Sequence, residues 1–227
     1  MREQARPYDE IAAVYEFLVP DALLTPAGSA AAFAGHVEPG ARVLDCACGT
    51  GTLAVGLALR GCDVVATDAS REMVARTARL ADQHGAASSS HVHAAGREAR
   101  RTALRAMAAT LRRGGLLVVT SRAWEQVRAA GSRLQVAEQL VVRDGRRGLA
   151  IHSWAIPERW DEPHFFDVAV ALVGDDGRVE THRERFAFWP FTEGQLREDL
   201  RAAGLEPLGG AQVADKAGRY LLTASRR

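Results

Sequence analysis

Hydrophobic and polar positions switch between two periods along this chain. Residues 8–19 place Ile11, Val14, Tyr15 and Leu18 at three- and four-residue spacing, which predicts an amphipathic helix stopped by Pro20. An alanine-rich stretch, 26–36, predicts a second helix. After Pro39-Gly40 the pattern becomes a short apolar strand at 42–46, a glycine loop, a helix at 52–60, a turn at Gly61 and a second strand at 63–68. That succession is a βαβ unit. Ser70 is a good N-cap for a helix reaching about residue 83, and a polar loop bearing serines and histidines follows it. A helix over 97–111 leads through Gly114-Gly115 to a third apolar strand centred on 116–120.

Beyond that strand the helical period disappears. The stretches 134–156 and 165–188 alternate or run apolar around Asp144-Gly145 and Asp176-Gly177, each the signature of a β-hairpin. Thr192 then caps a helix that stops at Gly204, and two strands close the chain at 205–213 and 219–225. The order predicts an α/β fold: a Rossmann-like, doubly wound and mostly parallel sheet, with an antiparallel C-terminal strand and an inserted antiparallel β lid. We expect one domain over 1–227, with N-terminal helices in 1–40, a ligand-binding core in 41–122, the lid in 134–190 and the C-terminal helix and strands in 191–227.

Composition narrows the functions open to such a fold. The chain has 227 residues, 47% hydrophobic and 25% charged, so it can bury a core without disulfides or metal. Its 29 basic residues against 28 acidic ones leave a net charge of +1 with no long basic run, which argues against nucleic acid as a partner. Cys46, Cys48 and Cys62 form no closed disulfide set and lack a second ligand pair, so they predict reduced thiols and no metal. No signal-like or membrane-length apolar run occurs, and the expected setting is cytoplasmic, with no membrane partner.

In an open α/β sheet the ligand lies beyond the carboxyl ends of the strands, where the glycine loop and Asp68 fall. Gly49-x-Gly51 with Asp68 at the next strand's end fits a dinucleotide site formally. Asp45, four residues before the first glycine, does not suit one, because a carboxylate there repels a pyrophosphate. It suits a ligand with a cationic amino group and a ribose, which is the chemistry of S-adenosyl-L-methionine.

Through VLDCACGTGTLAVGLALRGCDVVATDASREMV and LRRGGLLVVTSR the chain resembles the class I S-adenosylmethionine-dependent methyltransferases. Its ACGTG loop is most like that of the glycine and sarcosine N-methyltransferases. The resemblance implies that Ala47, Cys48, Gly49 and Gly51 let backbone approach the methionine part, that Asp68 takes the ribose hydroxyls, and that Ala69 and Met73 border the adenine. Tyr8-Asp9-x-x-Ala12-x-x-Tyr15 resembles a lead-in helix whose Tyr15 closes over the cofactor. Arg122, just past the C-terminal end of the third strand, matches an arginine that clamps an acceptor carboxylate, a bidentate pairing suited to an amino acid. Ser90 and His93 match a serine and histidine near cofactor or amine. No obligatory catalytic base is implied, since methyl transfer from a sulfonium mainly demands alignment. The aromatic residues Trp154, Trp160, His164, Phe165, Phe166, Phe188 and Trp189 would wall the acceptor.

The resemblance has a gap. Between Asp68 and Gly114 the family's layout holds two more strands, whereas this interval offers two helices and a polar loop. Either the third strand has closed up beside the first, or the physical protein has a segment that this sequence omits. The functional expectation is methyl transfer from S-adenosyl-L-methionine, leaving S-adenosyl-L-homocysteine, to a small-molecule acceptor such as the amine of glycine or sarcosine. The alternatives are a secondary-metabolite N- or O-methyltransferase, an inactive methyltransferase-like binding protein, and a nicotinamide-dependent oxidoreductase. A homo-oligomer is left open.

Overall fold

A computed structural model describes residues 7–85, 96–213 and 219–227. Its elements in chain order are a 3-10 helix Ala12–Phe17 and a 3-10 turn Asp21–Leu23, then α1 (Pro26–Ala31), β1 (Arg42–Cys46), α2 (Thr52–Leu59), β2 (Asp63–Thr67), α3 (Arg71–His84), α4 (Gly96–Thr110), β3 (Leu116–Arg122) and α5 (Trp124–Ala129). There follow β4 (Arg133–Val136), β5 (Val141–Arg143), β6 (Arg146–Ala155), β7 (His164–Val173), β8 (Val179–Phe188), α6 (Glu193–Ala202), β9 (Leu205–Val213) and β10 (Arg219–Arg226). The α/β class is as expected, and the strands fall into three sheets. β1 and β2 pair in parallel from Arg42↔Asp63 to Cys46↔Thr67. β3 pairs antiparallel with β10, and β10 with β9. The remaining strands are ordered β4-β6-β7-β8, with β5 also on β6. β1 and β3 thus belong to different sheets and do not pair with each other.

The chain packs as two compact units, one of residues 1–93, 134–153 and 167–186, the other of residues 94–133, 154–166 and 187–227. In the first, α2 is apolar around its circumference (TLAVGLAL), and Ala54, Val55 and Leu57 are buried. The Ser29 hydroxyl donates to Thr52 Oγ1 at 2.9 Å and ties α1 to the start of α2. The apolar run of β1 predicts burial, yet Leu44 and its β2 partner in register, Val65, are 41% and 43% exposed. Side chains alternate across a strand, so one face of this two-stranded sheet is covered and the other is open. The lead-in segment also differs from its expected α-helix over 8–19. Tyr8 sits at φ +73°, and the regular turns are 3-10 and begin only at Ala12. The first backbone donors of this segment are taken by a side chain from β8 instead of starting a helical ladder.

Both predicted hairpins form. Asp144 and Gly145 take φ of +47° and +76° between β5 and β6, the two-residue turn that Asp-Gly favours. A wider turn through Gly177 joins β7 to β8, closed by the Gly174 N–H donating to Arg178 O at 2.9 Å.

In the second unit Leu104, Ala108, Leu196, Leu200, Leu205 and Leu222 form the core under β3-β10-β9. Thr192 caps α6 with a reciprocal Gln195 capping box, and Gly204 at φ +79° ends the segment. α5, absent from the sequence expectation, is a six-residue helix. The strongest polar anchor joins α4 to α6: Asp199, fully buried, accepts from Arg100 at 2.6 Å, from Arg101 at 2.7 Å and from Arg97 at 3.3 Å. Burial pushes its carboxyl up, but the hydrogen bonds from Arg101, Arg100 and Arg97 outweigh that and hold it below its ordinary 3.8. Its stabilisation is therefore complete above that pH and is lost as the pH falls through the lowered value. Asp199→Ala, which strands three guanidinium groups, should cost about 3–5 kcal/mol in urea unfolding at neutral pH. The difference from wild type should narrow in strong acid.

Candidate functional site

The predicted cofactor residues Tyr15, Asp45, Ala47, Cys48, Gly49, Gly51, Asp68, Ala69 and Met73 all fall in the first unit. Ser90 and His93 lie outside the described residues. The loop between β1 and α2 turns sharply because three of its residues occupy the left-handed region: Ala47 at φ +65°, Gly49 at +57° and Gly51 at +84°. Such a conformation costs an L-residue roughly 1–2 kcal/mol, and Ala47 bears that cost where glycine would not. At Gly51 a Cβ would lie 2.6 Å from Thr77 Cγ2 and 2.9 Å from Thr77 Cα, so α3 is packed onto the loop. At Gly49 a Cβ would meet nothing within 4 Å. The absent side chain there leaves the backbone open to an approaching ligand.

Asp68 organises this loop. It is 7% exposed, and its two oxygens accept from different backbone donors, Gly49 N–H at 2.9 Å and Ser70 N–H at 2.9 Å. Ser70 in turn caps α3, accepting from Met73 N–H at 3.1 Å, and Met73 is buried beneath it. Each Asp68 oxygen keeps a second lone pair, the requirement for taking a vicinal diol.

Asp45 is the second acid of the site. Its Oδ2 is buried and has no hydrogen-bond partner among the described residues. Burial, reinforced by the nearby Asp68 carboxylate, raises its pKa from 3.8 to about 6. A buried carboxylate oxygen without a donor costs stability unless a cation or donor reaches it. With the open approach at Gly49, the acid pair fits a ligand bearing both an ammonium and a ribose.

The thiols do other work. Burial pushes Cys48 up to about 11, and its Sγ lies 3.5 Å from Thr77 Oγ1. Cys46 is raised as well, by burial first. Both are protonated packing groups at neutral pH, unsuited to nucleophilic attack.

In the second unit Arg122 is the last residue of β3, opposite Arg219, rather than just past the strand. Its guanidinium carbon lies 5.2 Å from the Trp154 ring, 5.4 Å from Phe166 and 5.7 Å from Phe188. Trp154 and Phe166 are stacked at 4.5 Å, and Trp124, on α5, meets Trp154 edge-on at 6.2 Å. The structure brings Trp154, His164 and Phe188 together around Trp124, with Phe166 against Trp154 and Phe188, whereas Trp160 and Trp189 are each 37% exposed. His164 is fully buried, with Nδ1 3.1 Å from Glu162 O and Nε2 3.0 Å from Arg128. Burial, with Arg128 adding to it, lowers its pKa, so the ring is neutral and Nε2 accepts from the guanidinium. It braces the turn before β7. Trp124 escaped sequence reasoning because a lone tryptophan after a strand carries no spacing signal.

Comparison with known proteins places this arrangement. Residues 43–95 match a family model described as a methyltransferase domain. No curated protein matches the chain by sequence. Among solved structures, DesVI from Streptomyces venezuelae is similar at a TM-score of 0.76 and 17% identity, over 99% of this chain and 100% of that one. CalS10 from Micromonospora echinaspora, an amino pentose methyltransferase solved with S-adenosylmethionine, gives 0.67 and 18% over 100% of both chains. The sugar N-methyltransferase KedS8 from Streptoalloteichus sp ATCC 53650 gives 0.66 and 19% over 100% of this chain and 95% of that one. The fold is the Rossmann-like α/β fold of these structures.

The glycine loop and its buried acid each yield a stability prediction. Gly51→Ala meets Thr77 backbone at positive φ and should lose about 2 kcal/mol or more in thermal unfolding. Asp45→Asn should raise stability at pH 7 by about 1–3 kcal/mol by removing an unpaired buried charge. Because the folded pKa of Asp45 is raised, its contribution to wild-type stability declines as the pH climbs from about 4 through about 6. That decline should be missing from the Asp45→Asn profile.

Proposed function

We propose that this protein transfers a methyl group from S-adenosyl-L-methionine to the amine of a small natural-product acceptor, an amino sugar being the class best supported. The observation that carries the cofactor assignment is the buried, unpartnered Asp45 oxygen beside the open Gly49 backbone. A carboxylate there attracts an ammonium and repels a pyrophosphate, which disfavours the nicotinamide alternative. The methyltransferase-domain match over 43–95 supports the same reading. The acceptor class is supported by the likeness to an amino pentose methyltransferase and a sugar N-methyltransferase. The glycine or sarcosine reading rests on Arg122 as a carboxylate clamp, and that guanidinium lies among three aromatic rings.

When bound, the cofactor supplies an electrophilic methyl carbon on a sulfonium, which an unprotonated amine attacks in line. Asp45 would hold the ammonium of the methionine part and Asp68 the ribose hydroxyls, while Gly49 admits the backbone close to the ligand. Ala69 and Met73 would border the adenine, with Tyr15 above it. Cytoplasmic residence is part of this reading; among the described residues no helix is long and apolar enough to cross a membrane.

Calorimetric titration with S-adenosyl-L-homocysteine and with NAD tests the cofactor. Micromolar binding of the first only is expected, strengthening as the pH is raised through about 6, where Asp45 ionises, and weakened at least about tenfold by Asp45→Asn. Methyl transfer to 3-amino and 4-amino sugars as methyl glycosides, set against glycine and sarcosine, tests the acceptor. Turnover of the amino acids alone would overturn the amino-sugar reading.

A further inference from the structure

The two residues ahead of the 3-10 helix link elements that are remote in sequence. Asp9 Oδ1 accepts from the Ser70 hydroxyl at 2.5 Å, and Ser70 is fully buried. Through its own N–H, Ser70 holds Asp68 Oδ1, and the other Asp68 oxygen holds the Gly49 amide. Asp9 thus stands at one end of an unbroken hydrogen-bond chain into the glycine loop. On its other side the same short strap is held by the lid. Tyr8 N–H donates to Glu184 Oε1 on β8 at 2.5 Å, and the Tyr8 ring lies 4.4 Å from Phe186, two residues further along that strand. The opposite edge of the Tyr8 ring faces Tyr15 at 6.1 Å. All of these residues belong to the first unit.

The strap is held by these contacts more than by its own conformation. Tyr8 has φ +73°, a region that a bulky residue enters only when its surroundings enforce it. Glu184 is half-buried, its Oε2 has no partner among the described residues, and burial raises its pKa, so this link strains against desolvation. A segment with an unfavourable backbone and partners on two elements orders fully only when both partners are in place.

We infer that Asp9 is a positioning residue for the cofactor acid, and that the Tyr8-Asp9 strap couples occupancy of the Asp68 loop to the ordering of lid strand β8. The inference rests on the cofactor reading above. A ligand that takes the free lone pairs of Asp68 fixes Ser70, Ser70 fixes Asp9, and the strap then presents the Tyr8 amide and ring to Glu184 and Phe186. By linkage the effect runs both ways: loosening the lid end must weaken the cofactor by the factor with which cofactor tightens the lid.

Hydrogen exchange of the full chain, with and without saturating S-adenosyl-L-homocysteine, tests this. In wild type the ligand should slow exchange of the amides in 179–186 by about fivefold or more. Asp9→Ala should abolish that protection and weaken S-adenosyl-L-homocysteine about tenfold by calorimetry, while Asp9→Asn, which keeps an acceptor for the Ser70 hydroxyl, should restore both. Glu184→Ala should also weaken the ligand, and the double variant Asp9→Ala with Glu184→Ala should be no worse than the more affected single one. Should Asp9→Ala fail to fold, Ser70→Ala cuts the same link from the other side. Protection of 179–186 that is missing in wild type, or unchanged in Asp9→Ala, would overturn the coupling while leaving the cofactor assignment standing. Additive losses in the double variant would do the same. A wild type that does not bind S-adenosyl-L-homocysteine would overturn both.

Discussion

The candidate site depends on one carboxylate. Asp68 is buried at the end of β2 and spends its two oxygens on the Gly49 and Ser70 amides, joining the loop after β1 to the cap of α3. The loop needs this external tie because its backbone is unfavourable: three residues lie at positive φ, and one of them is not glycine. A carboxylate accepting two backbone N–H groups is a charge-assisted anchor in a nearly dry setting, stronger than the neutral bonds around it. Packing completes the arrangement, since Gly51 lets Thr77 approach to where a Cβ would stand, and the Thr77 hydroxyl donates to Gly49 O at 2.9 Å.

Much of this was legible in the sequence because it is local. The βαβ unit, the Ser70 and Thr192 caps, the Gly204 stop and both Asp-Gly hairpins each follow from a few neighbouring residues whose backbone preferences agree. Asp45 stood out by a clash of chemistries, an acid where a phosphate would otherwise be expected. Less legible were features that rest on pairing across long separations. The bond between Asp9 and Ser70, the Tyr8 amide on Glu184 and the ring cluster around Trp124 join residues with no spacing relation to one another. Arg122 shows the limit from the other side: its place was read to within a residue of the strand's end, but its neighbours, three aromatic rings from the lid strands, depend on tertiary packing.

The short interval between Asp68 and Gly114 has a visible consequence. With no further strand among the described residues of that interval, β1 and β2 form a two-stranded sheet, and β3 finds its partner in β10. A parallel pair is ordinarily covered on both faces by crossover helices. Here the face bearing Leu44 and Val65 is left open, and the strands that composition alone marks as core are half in solvent. Hydrophobicity of a segment thus reports what the chain could bury, whereas burial depends on how many layers the remaining sequence supplies.

Asp45 carries the argument from stability to function. An apolar residue at the end of β1 would spare the protein a buried carboxylate oxygen without a partner, and the proximity of Asp68 makes the charge costlier still. Local rules are broken where a site must remain incomplete until its ligand arrives. On the proposed reading the two carboxylates divide the work: Asp68, satisfied by backbone amides, is fixed in place, and Asp45, whose Oδ2 has no partner among the described residues, would supply the attraction. The sign of that attraction selects a cation over a phosphate, and the glycine whose absent side chain faces open space lets the ligand come close enough to feel it.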